Sequence, residues 1–483
     1  MGKLWDFYPF ADYPALIGET GTTLAYDDLI SLSEDTQTRL GRDEDRPLVM
    51  FVCRNTLGAL SGYVTLINLG YPVLPVSAEI PADMRKALMN AYRPGFLLLP
   101  GEMRSAFPAM KEACEFRDYV LLRTNYSERF PVHPRLGQLI TTSGSTGSAK
   151  FVRQSWDNLR FNAAAIAEYL QFNSADRNIT CLPLQYTYGL SVLHAGLLRG
   201  AAMVVTQSGV MDPEFWDLFE AENVTCFHGV PNTYDMLRRI ELFGDDFPSL
   251  RIMSQAGGKL SRELQGYYGR YAEENGKSFI IMYGQSEATA AITWLPTEDI
   301  LRKPGSVGKV IPGGSISLID ADGKAVSEPG VPGEICYQGP NVAMGYARRG
   351  EDLALGDEMN GFLKTGDIGE LDGEGYLAVT GRLKRFIKLS GHRISLDEVD
   401  GMIMDELNIP SVSVGTDDHL AVFVTDDQYT GIITSFIRGK ISAAHAGFRV
   451  LTVPEIPRNE AGKILYSELQ AQAEQWRNKE REQ

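Results

Sequence analysis

Short apolar segments alternate with segments of helical periodicity through the first two thirds of this chain. PLVMFVC and LRIMSQAG indicate buried strands, and LGALSGYVTLINLG and SRELQGYYGRYAEEN, which follow them, carry apolar residues at helical spacing. Such alternation is typical of parallel sheets covered by helices, because parallel strands need a crossover connection. We therefore predict an α/β fold for this region.

The pattern changes beyond about Thr293, where Gly- and Pro-punctuated segments such as GSISLID and GEICYQG predict a β-rich subdomain. After Gly381 the strand RFIKL precedes a predicted helix, for which Ser395 and Glu398 have capping-box spacing. We predict a large N-terminal domain over residues 1–381 and a small α+β C-terminal domain over residues 382–483.

Composition excludes several classes of protein. With 483 residues, 44% hydrophobic and 22% charged, the chain can bury the cores of more than one domain. A net charge of −16 argues against nucleic-acid binding. We find no apolar run of membrane-spanning length and no signal-peptide pattern, so we expect no membrane partner. The five cysteines are scattered without a C-x-x-C pair, which predicts neither zinc nor disulfides and favours a cytoplasmic location.

The decapeptide TTSGSTGSAK, residues Thr141 to Lys150, concentrates hydroxyl groups and glycines. We expect it between a strand, RLGQLI, and a helix that opens with Asp157 and Asn158 as candidate caps. Such a loop can direct N–H groups and hydroxyls at one anion, although a flexible linker has the same composition. It is not a Walker A loop, because Ser148 follows Gly147.

The segment GRLKRFIKLSGHR is strongly basic. It is either a solvated surface strand or an anion site, and its cationic residues are Arg382, Lys384, Arg385, Lys388 and Arg393.

Five motifs together point to one family. The loop described above, LPLQYTYGLSVLHAGLLRGA, MYGQSEAT, KTGDIGELDGEGYLAVTGRLKRFIKLSGHRIS and PRNEAGKIL follow one another in the order seen in adenylate-forming enzymes. The chain resembles this superfamily, which includes acyl- and aryl-CoA synthetases, luciferases and adenylation domains, over nearly its whole length. The resemblance implies that a carboxylate attacks ATP to give an acyl-adenylate, and that a thiol then displaces AMP.

The resemblance also implies an ATP site. Tyr283 would stack on adenine and Glu287 would hold Mg²⁺. Asp367 would pair with the ribose hydroxyls, and Arg382 would reach the ribose or phosphate. Gly284 and Ser286 belong to the same motif as Tyr283, and Gly257 and Gly258 to the loop on which adenine lies. The phosphates would be bound by Thr142, Ser143, Gly144, Ser145, Thr146, Gly147 and Lys150.

In this family, a lysine at the position of Lys463 bridges the carboxylate and the α-phosphate. Lys384 falls at the family's hinge, which implies that the C-terminal domain is mobile and serves both half-reactions. The implied thiol acceptor is CoA or a phosphopantetheinyl carrier protein, and Arg385, Lys388 and Arg393 are candidates to bind it.

The acyl side is only partly defined by the sequence. Gln185 and Tyr186 stand where many relatives have Phe-His, and Thr187 stands where amino-acid-activating relatives have Asp, which disfavours an α-amino acid. An aryl or modest aliphatic acid suits the candidate pocket. His228 is either a substrate ligand or a packed strand residue. The pocket residues are Tyr186, Tyr188, Phe227, His228 and Gly229.

Two alternatives remain open from the sequence. One is an inactive or regulatory nucleotide-binding relative, and the other is an adenylating enzyme with a non-thiol acceptor such as oxygen or an amine.

Overall fold

The computed structural model describes residues 4–41, 46–141, 150–242, 247–389, 392–417, 419–440, 448–460 and 462–481. The chain forms two compact units. The first comprises Met1–Ser315 and Tyr337–Leu363, and the second comprises Ile316–Cys336 and Lys364–Gln483. The boundary expected at residue 381 and the hinge at Lys384 therefore both fall inside the second unit, and both stay predictions.

The strands in the first part of the chain are β1 (Pro14–Gly18), β2 (Thr23–Ala25), β3 (Val49–Cys53), β4 (Val73–Ser77), β5 (Phe96–Pro100), β6 (Lys111–Phe116), β7 (Tyr119–Arg123), β8 (Leu136–Thr141), β9 (Phe151–Ser155), β10 (Arg177–Ile179), β11 (Ala202–Val205), β12 (Cys226–Gly229), β13 (Ile252–Gln255), β14 (Ser278–Tyr283), β15 (Thr293–Leu295) and β16 (Lys309–Val310). The later strands are β17 (Ser315–Ile319), β18 (Ala325–Val326), β19 (Gly333–Gln338), β20 (Gly345–Ala347), β21 (Phe362–Leu371), β22 (Leu377–Arg382), β23 (Phe386–Leu389), β24 (His392–Ser395), β25 (Val412–Thr416), β26 (His419–Val424) and β27 (Phe448–Thr452).

The α-helices are α1 (Tyr26–Leu40), α2 (Leu57–Asn68), α3 (Ala82–Tyr92), α4 (Trp156–Tyr169), α5 (Thr187–Leu198), α6 (Pro213–Ala221), α7 (Pro231–Arg239), α8 (Arg262–Glu274), α9 (Thr297–Ile300), α10 (Leu396–Leu407), α11 (Gln428–Lys440) and α12 (Tyr466–Arg481). Short 3₁₀ turns lie at Ser286–Ala288 and Leu383–Arg385, among other places.

Two large sheets build the first unit. One has nine strands in the order β16-β15-β14-β13-β12-β10-β11-β1-β2, and the other has eight in the order β20-β9-β8-β4-β3-β5-β7-β6. The central strands of each are parallel, and antiparallel strands such as β15 and β7 lie toward the edges. The predicted α/β class is confirmed, with antiparallel edges that the alternation did not predict.

Helices α2 and α5 lie in the main core of this unit. Every residue of α2 except Leu57 is buried, and α5 is nearly as deeply buried. Both sequences are apolar around the whole helix circumference, as expected for a helix with no solvent-facing side. Their side chains share one core with residues of both sheets, among them Leu16 of β1, Phe51 of β3 and Met203 of β11.

The second unit is rich in strands, as predicted from the change in sequence pattern. A five-stranded sheet, in the order β18-β17-β19-β21-β22, lies mainly in this unit. The tail adds the hairpin β23-β24 and the sheet β25-β26-β27, which share a core with α10 and α11. The predicted cap of α10 is present, because Ser395 Oγ accepts a hydrogen bond from the Glu398 N–H at 3.3 Å.

One local prediction was wrong. The segment Thr141–Lys150 does not lead from a strand into a helix, because it connects the antiparallel strands β8 and β9. α4 begins only after β9, and its cap is Ser155, whose Oγ accepts from the Asn158 N–H at 3.1 Å. Asn158 is the third residue of the helix and completes a capping box by accepting from Ser155 N–H, while Asp157 lies inside the first turn.

Candidate active site

Three neighbouring strands of the nine-stranded sheet carry predicted site residues at the same edge. β12, β13 and β14 are parallel, so their carboxyl ends lie side by side. Gly229 ends β12, Tyr283 ends β14, and Gly257 lies two residues beyond the end of β13. The fold therefore brings a predicted acyl-pocket residue next to two predicted adenine-site residues.

Gly257 is required for steric reasons. Its φ is +88°, in the left-handed region that favours glycine. A Cβ atom here would lie 2.1 Å from the hydroxyl oxygen of Tyr186. The neighbouring Gly258 is exposed, and its carbonyl accepts a hydrogen bond from Gln255 Nε2 at 3.0 Å. The loop after β13 can thus lie close to Tyr186, a predicted acyl-pocket residue, only because residue 257 has no side chain.

The YGQSE segment forms a tight turn after β14. A Cβ at Gly284 would lie 1.6 Å from the carbonyl oxygen of Ala290, so no other residue fits this path. The Ser286 carbonyl accepts from Gln154 Nε2 at 2.9 Å, and the Ser286 and Thr187 hydroxyl oxygens are 2.6 Å apart. These bonds fix the turn to β9 on one side and to the start of α5 on the other.

Glu287 is held by two contacts to one segment of the chain. Its Oε1 accepts a hydrogen bond from the Tyr346 hydroxyl at 3.0 Å, and its main-chain carbonyl accepts from Ala343 N–H at 2.8 Å. Lys150 Nζ lies 3.3 Å from the centroid of the same Tyr346 ring. Two predicted ATP-site residues that are far apart in sequence therefore meet at Tyr346.

Tyr346 was not predicted from the sequence. An aromatic residue in a short strand is ordinarily a core residue, and the segment GYARR carries no metal or nucleotide signature. Burial, reinforced by the Glu287 carboxylate, raises the pKa of the Tyr346 phenol. The hydroxyl is therefore protonated at neutral pH and acts as the donor toward Glu287.

The surroundings of Glu287 fit a magnesium ion that is bound jointly by the protein and a nucleotide. Glu287 is partly exposed, and the described residues contain no cluster of three or more His, Cys, Asp or Glu side chains that could hold a metal alone. Mg²⁺ in nucleotide sites is typically held by one or two carboxylates and the substrate's phosphates. A single carboxylate is thus a sufficient protein contribution.

The predicted phosphate-binding residues Thr142, Ser143, Gly144, Ser145, Thr146 and Gly147 lie outside the described residues. Their flanks are defined, because β8 ends at Thr141 and β9 begins at Phe151.

The predicted acyl pocket contains a buried chain of hydrogen bonds. The Tyr188 hydroxyl lies 2.7 Å from Ser254 Oγ, and Ser254 Oγ lies 2.6 Å from His228 Nδ1. His228 Nε2 lies 2.8 Å from Asn178 Oδ1, which can only accept. Nε2 therefore carries the proton, Ser254 donates to Nδ1, and Tyr188 donates to Ser254.

Burial lowers the pKa of His228 to about 3, so the ring is neutral under working conditions. Both of its nitrogens have protein partners, which favours the packed-strand alternative, and a direct contact of His228 with the substrate stays a prediction.

Phe227 does not join the other predicted pocket residues. Successive residues of a strand point to opposite faces, and the fully buried Phe227 ring packs against Phe215, Trp216 and Tyr234. On the side of His228, a cavity of about 20 Å³ has room for about one water molecule. It has no charged lining residue and is bordered by Leu184, Gly189, Val192, Leu193, Met203 and His228, among others.

The second unit contains the remaining predicted site residues. The Asp367 carboxylate is almost fully buried and pairs with Arg382 Nε at 3.0 Å, across the paired strands β21 and β22. Lys384 is exposed in the 3₁₀ turn that follows β22. Lys463 is half-buried after a tight turn, in which its N–H donates to Asn459 Oδ1 at 2.9 Å.

Arg385 does not have the exposed position expected of an acceptor-binding residue. Its side chain is buried, with Nε 2.6 Å from Asp397 Oδ1 and Nη2 2.8 Å from Asp400 Oδ2. Its guanidinium carbon lies 3.9 Å from the centroid of the Tyr466 ring. The basic character of the segment was evident from the sequence, but the two carboxylates on α10 that pair with Arg385 were not. Lys388 is exposed, and the side chain of Arg393 lies outside the described part of the chain.

The fold and the site define an α/β protein with predicted nucleotide-site residues at the carboxyl edge of a parallel sheet. A sequence profile described as "AMP-binding enzyme" matches residues 7–347. Because this match covers more than half of the chain, the protein belongs to the AMP-binding enzyme family.

The chain is similar to two named CoA ligases and to one solved structure. The chain is 29% identical to an oxalate–CoA ligase of Arabidopsis thaliana, over 69% of this chain and 66% of that protein. It is 26% identical to an indoleacetate–CoA ligase of Aromatoleum aromaticum, over 87% of each chain. The structure of o-succinylbenzoate CoA synthetase from Bacillus subtilis with its acyl-adenylate intermediate has a TM-score of 0.75 at 24% identity, covering 96% of both chains.

No helix among the described residues has the length and apolar character needed to cross a bilayer.

Proposed function

We propose that this protein is an AMP-forming acid–thiol ligase that activates a carboxylic acid with ATP and Mg²⁺. The observation that carries the proposal is that Lys150 and Glu287 both contact Tyr346. Glu287 follows β14, which ends at Tyr283, and β14 belongs to the same group of parallel strands as β12, which ends at Gly229. A cation and a carboxylate placed together are the groups needed to bind phosphates and their metal ion. Family membership and the named CoA ligases among its relatives support the same chemistry.

In the first half-reaction, a carboxylate oxygen of the acid attacks the α-phosphorus of ATP. The bond to the β-phosphate breaks, and pyrophosphate leaves with the bonding electron pair. Lys150 and the hydroxyl-rich loop bind the phosphates, and Glu287 holds Mg²⁺, which neutralises charge on pyrophosphate when bound. Tyr283 stacks on adenine, next to the side-chain-free backbone of Gly257 and Gly258.

Residues of the second unit complete this step in the proposal. Asp367 and Arg382 bind the ribose, since a carboxylate accepts from hydroxyl groups that can donate. Lys463 stabilises the charge that builds up between the carboxylate and the α-phosphate. In the second half-reaction the sulfur of the thiol attacks the acyl carbon, and AMP leaves. Rotation about Lys384 brings the C-terminal domain from one role to the other.

The acyl group is proposed to be an uncharged aryl or modest aliphatic one. Tyr188 and His228 are joined to each other through Ser254, and neither offers a charge to a second carboxylate. Thr187 is hydrogen-bonded to Ser286 and carries no charge for an α-ammonium group. The relatives that act on oxalate or indoleacetate show that the family accepts very different acids.

CoA is the acceptor that the relatives favour, and a phosphopantetheinyl carrier protein is the alternative. Lys384 and Lys388, two exposed cations of the basic segment, would face either one. A cytoplasmic location belongs to the same proposal. It is supported by the five cysteines, all in the described part of the chain, because none of them is in a disulfide.

Product analysis tests the complete reaction. The enzyme is incubated with ATP, Mg²⁺, a panel of aryl and aliphatic acids, and either CoA or a phosphopantetheinylated carrier protein. We expect AMP and a thioester to form in equal amounts with CoA. Thioester on the carrier alone would identify the alternative acceptor, and acyl-adenylate without thioester would show that the acceptor is not a thiol.

A further inference from the structure

Tyr346 connects two groups that the proposed function uses separately. One face of its ring lies 3.3 Å from Lys150 Nζ, measured to the ring centroid. Its hydroxyl donates to Glu287 Oε1 at 3.0 Å. The lysine follows the phosphate loop and the glutamate follows β14, so no short stretch of backbone links them. The Tyr346 side chain contacts both Lys150 and Glu287, and it therefore relates the position of the ammonium group to that of the carboxylate.

The backbone under Tyr346 is firmly anchored. Tyr346 pairs with Val152 in the antiparallel strands β20 and β9. Its carbonyl accepts a hydrogen bond from Nε of Arg153 at 3.0 Å, and the Arg153 side chain has no exposed surface. Another guanidinium nitrogen, Nη2, donates to the Met344 carbonyl at 3.3 Å and pairs with Glu358. A buried arginine with this many partners holds the β20 backbone, and hence the base of the Tyr346 side chain, in one place.

The same segment also holds the backbone of the glutamate. Ala343 N–H donates to the Glu287 carbonyl at 2.8 Å, three residues before the tyrosine whose hydroxyl holds the carboxylate. Glu287 is thus bound at its main chain and at its side chain by one short stretch, 343–346. A contact made at both ends restricts the side-chain rotamers available to the glutamate.

From these contacts we propose that Tyr346 is a positioning residue for ATP and its metal ion. Its hydroxyl occupies Oε1 of Glu287 and orients the carboxylate so that Oε2 is the oxygen available to Mg²⁺. Its ring holds the Lys150 ammonium by a cation–π contact. Tyr346 itself touches no reacting atom. This inference rests on the proposed function, since it assigns Glu287 to the metal and Lys150 to the phosphates.

Two substitutions at Tyr346 separate its two contacts. Tyr346→Phe removes the hydroxyl and keeps the aromatic face under Lys150. Tyr346→Leu removes both. Tyr92→Phe is the matched control, because the Tyr92 hydroxyl is also buried and also reaches β20, but it donates to the Ala347 carbonyl, whereas the Tyr346 hydroxyl donates to Glu287. All three are made in the full chain.

The readout is the rise in melting temperature caused by ATP, measured without Mg²⁺ and during a MgCl₂ titration at fixed ATP. For Tyr346→Phe we expect the Mg²⁺ concentration at half-maximal stabilisation to rise about tenfold, as for loss of a hydrogen bond to a charged group. Stabilisation by metal-free ATP should match the wild type. Tyr346→Leu should weaken both responses, and Tyr92→Phe should weaken neither.

A wild-type Mg²⁺ midpoint in Tyr346→Phe would overturn the inference, as would an equal shift in Tyr92→Phe. Wild-type protein that is not stabilised by ATP at any Mg²⁺ concentration would overturn the proposed function as well. If the wild-type protein forms acyl-adenylate and Tyr346→Phe has the wild-type Mg²⁺ midpoint, only the role of Tyr346 is overturned.

Discussion

Gly257 shows how one residue without a side chain determines the shape of the candidate site. Two separate constraints act on it: a positive φ and the Tyr186 hydroxyl oxygen, 2.1 Å from where a Cβ would stand. Gly21 provides a comparison, because its φ is +75° and nothing lies within 4 Å of the point that its Cβ would occupy. Substitution of Gly21 would strain the backbone alone, whereas substitution of Gly257 would also create a steric conflict with Tyr186.

We predict that Gly257→Ala raises the KM for ATP at least about tenfold, equivalent to ~1.4 kcal/mol. The reason is that the added methyl group displaces Tyr186 or the loop on which adenine is proposed to lie. Gly21→Ala should lose roughly 1–2 kcal/mol of unfolding free energy through its left-handed backbone, with an unchanged KM. The measurements are steady-state kinetics and denaturant unfolding. Equal KM values for the two variants would contradict the steric argument.

Residue identities in the site were more predictable than their partners. Tyr283, Gly257 and Glu287 could be named as candidates because the resemblance to the family rests on the identities of residues within short motifs. Tyr346 and Ser254 could not be found in this way, since a hydroxyl that binds a partner far away in sequence leaves no local pattern. The two carboxylates that pair with Arg385 could not be predicted either. The sequence neighbours of Arg385 are basic, and its partners are on α10.

At the scale of elements, the hairpin formed by β8 and β9 replaces the expected strand-to-helix turn. The sequence FVRQS is too polar to indicate a buried strand, yet all five residues of β9 are buried. They are buried because β8 and β20 flank β9, and because Arg153 and Gln154 find internal partners. Tertiary contacts of this kind override local propensity. By contrast, strands such as β3 and helices such as α2 were predictable, because their apolar runs match their complete burial.

Arg385, in the 3₁₀ turn at Leu383–Arg385, pairs with Asp400 of α10. The environment of Asp400 predicts that the free energy of unfolding depends on pH. Asp400 is half-buried, and it accepts from Arg385 Nη2 at 2.8 Å and from Ser413 N–H at 2.6 Å. Burial raises the pKa of Asp400 from 3.8 to about 7, and the charge of Asp397 adds to the effect while Arg385 opposes it. The pKa of the nearby Tyr466 phenol is also raised by burial.

The folded protein therefore binds a proton on Asp400 that the unfolded chain releases above about pH 4. Its contribution to stability is complete below that pH and is lost as the pH rises to about 7, by at most ~1.4 kcal/mol per pH unit. Asp400→Asn should flatten the fall in unfolding free energy between pH 4 and pH 7. Asp405→Asn, an exposed change on the same helix, should retain it. Denaturant unfolding at several pH values measures the slopes, and identical slopes in the wild type and Asp400→Asn would refute this role.

For the whole molecule, the sequence predicted the class of fold and the family, while the domain boundary expected at residue 381 stays a prediction. Each large sheet has its own apolar runs, which local periodicity reveals. The second unit begins earlier than the predicted C-terminal domain, because Ile316–Cys336 groups with Lys364–Gln483. Strand pairings such as β19 with β21 are non-local, and no periodicity in the sequence predicts them.

Substitution of Lys463 tests the proposed formation of an acyl-adenylate, because Lys463 is assigned to the adenylation step. Lys463→Ala should lose about 2.7–4 kcal/mol of transition-state stabilisation in the adenylation step, as for removal of one oxyanion donor. Thiolysis of a supplied acyl-adenylate should be largely spared. Lys86→Ala, an exposed change on α3, should behave as the wild type in both.

The most direct measurement is acid-dependent exchange of labelled pyrophosphate into ATP, run with the wild-type protein, Mg²⁺ and a broad panel of carboxylic acids. We predict exchange with at least one aryl or aliphatic acid that has no α-amino group, and loss of that exchange when Mg²⁺ is removed. The contrary result is a protein that binds ATP and Mg²⁺ but shows no exchange with any acid of the panel. That result would identify it as a nucleotide-binding relative without adenylating activity.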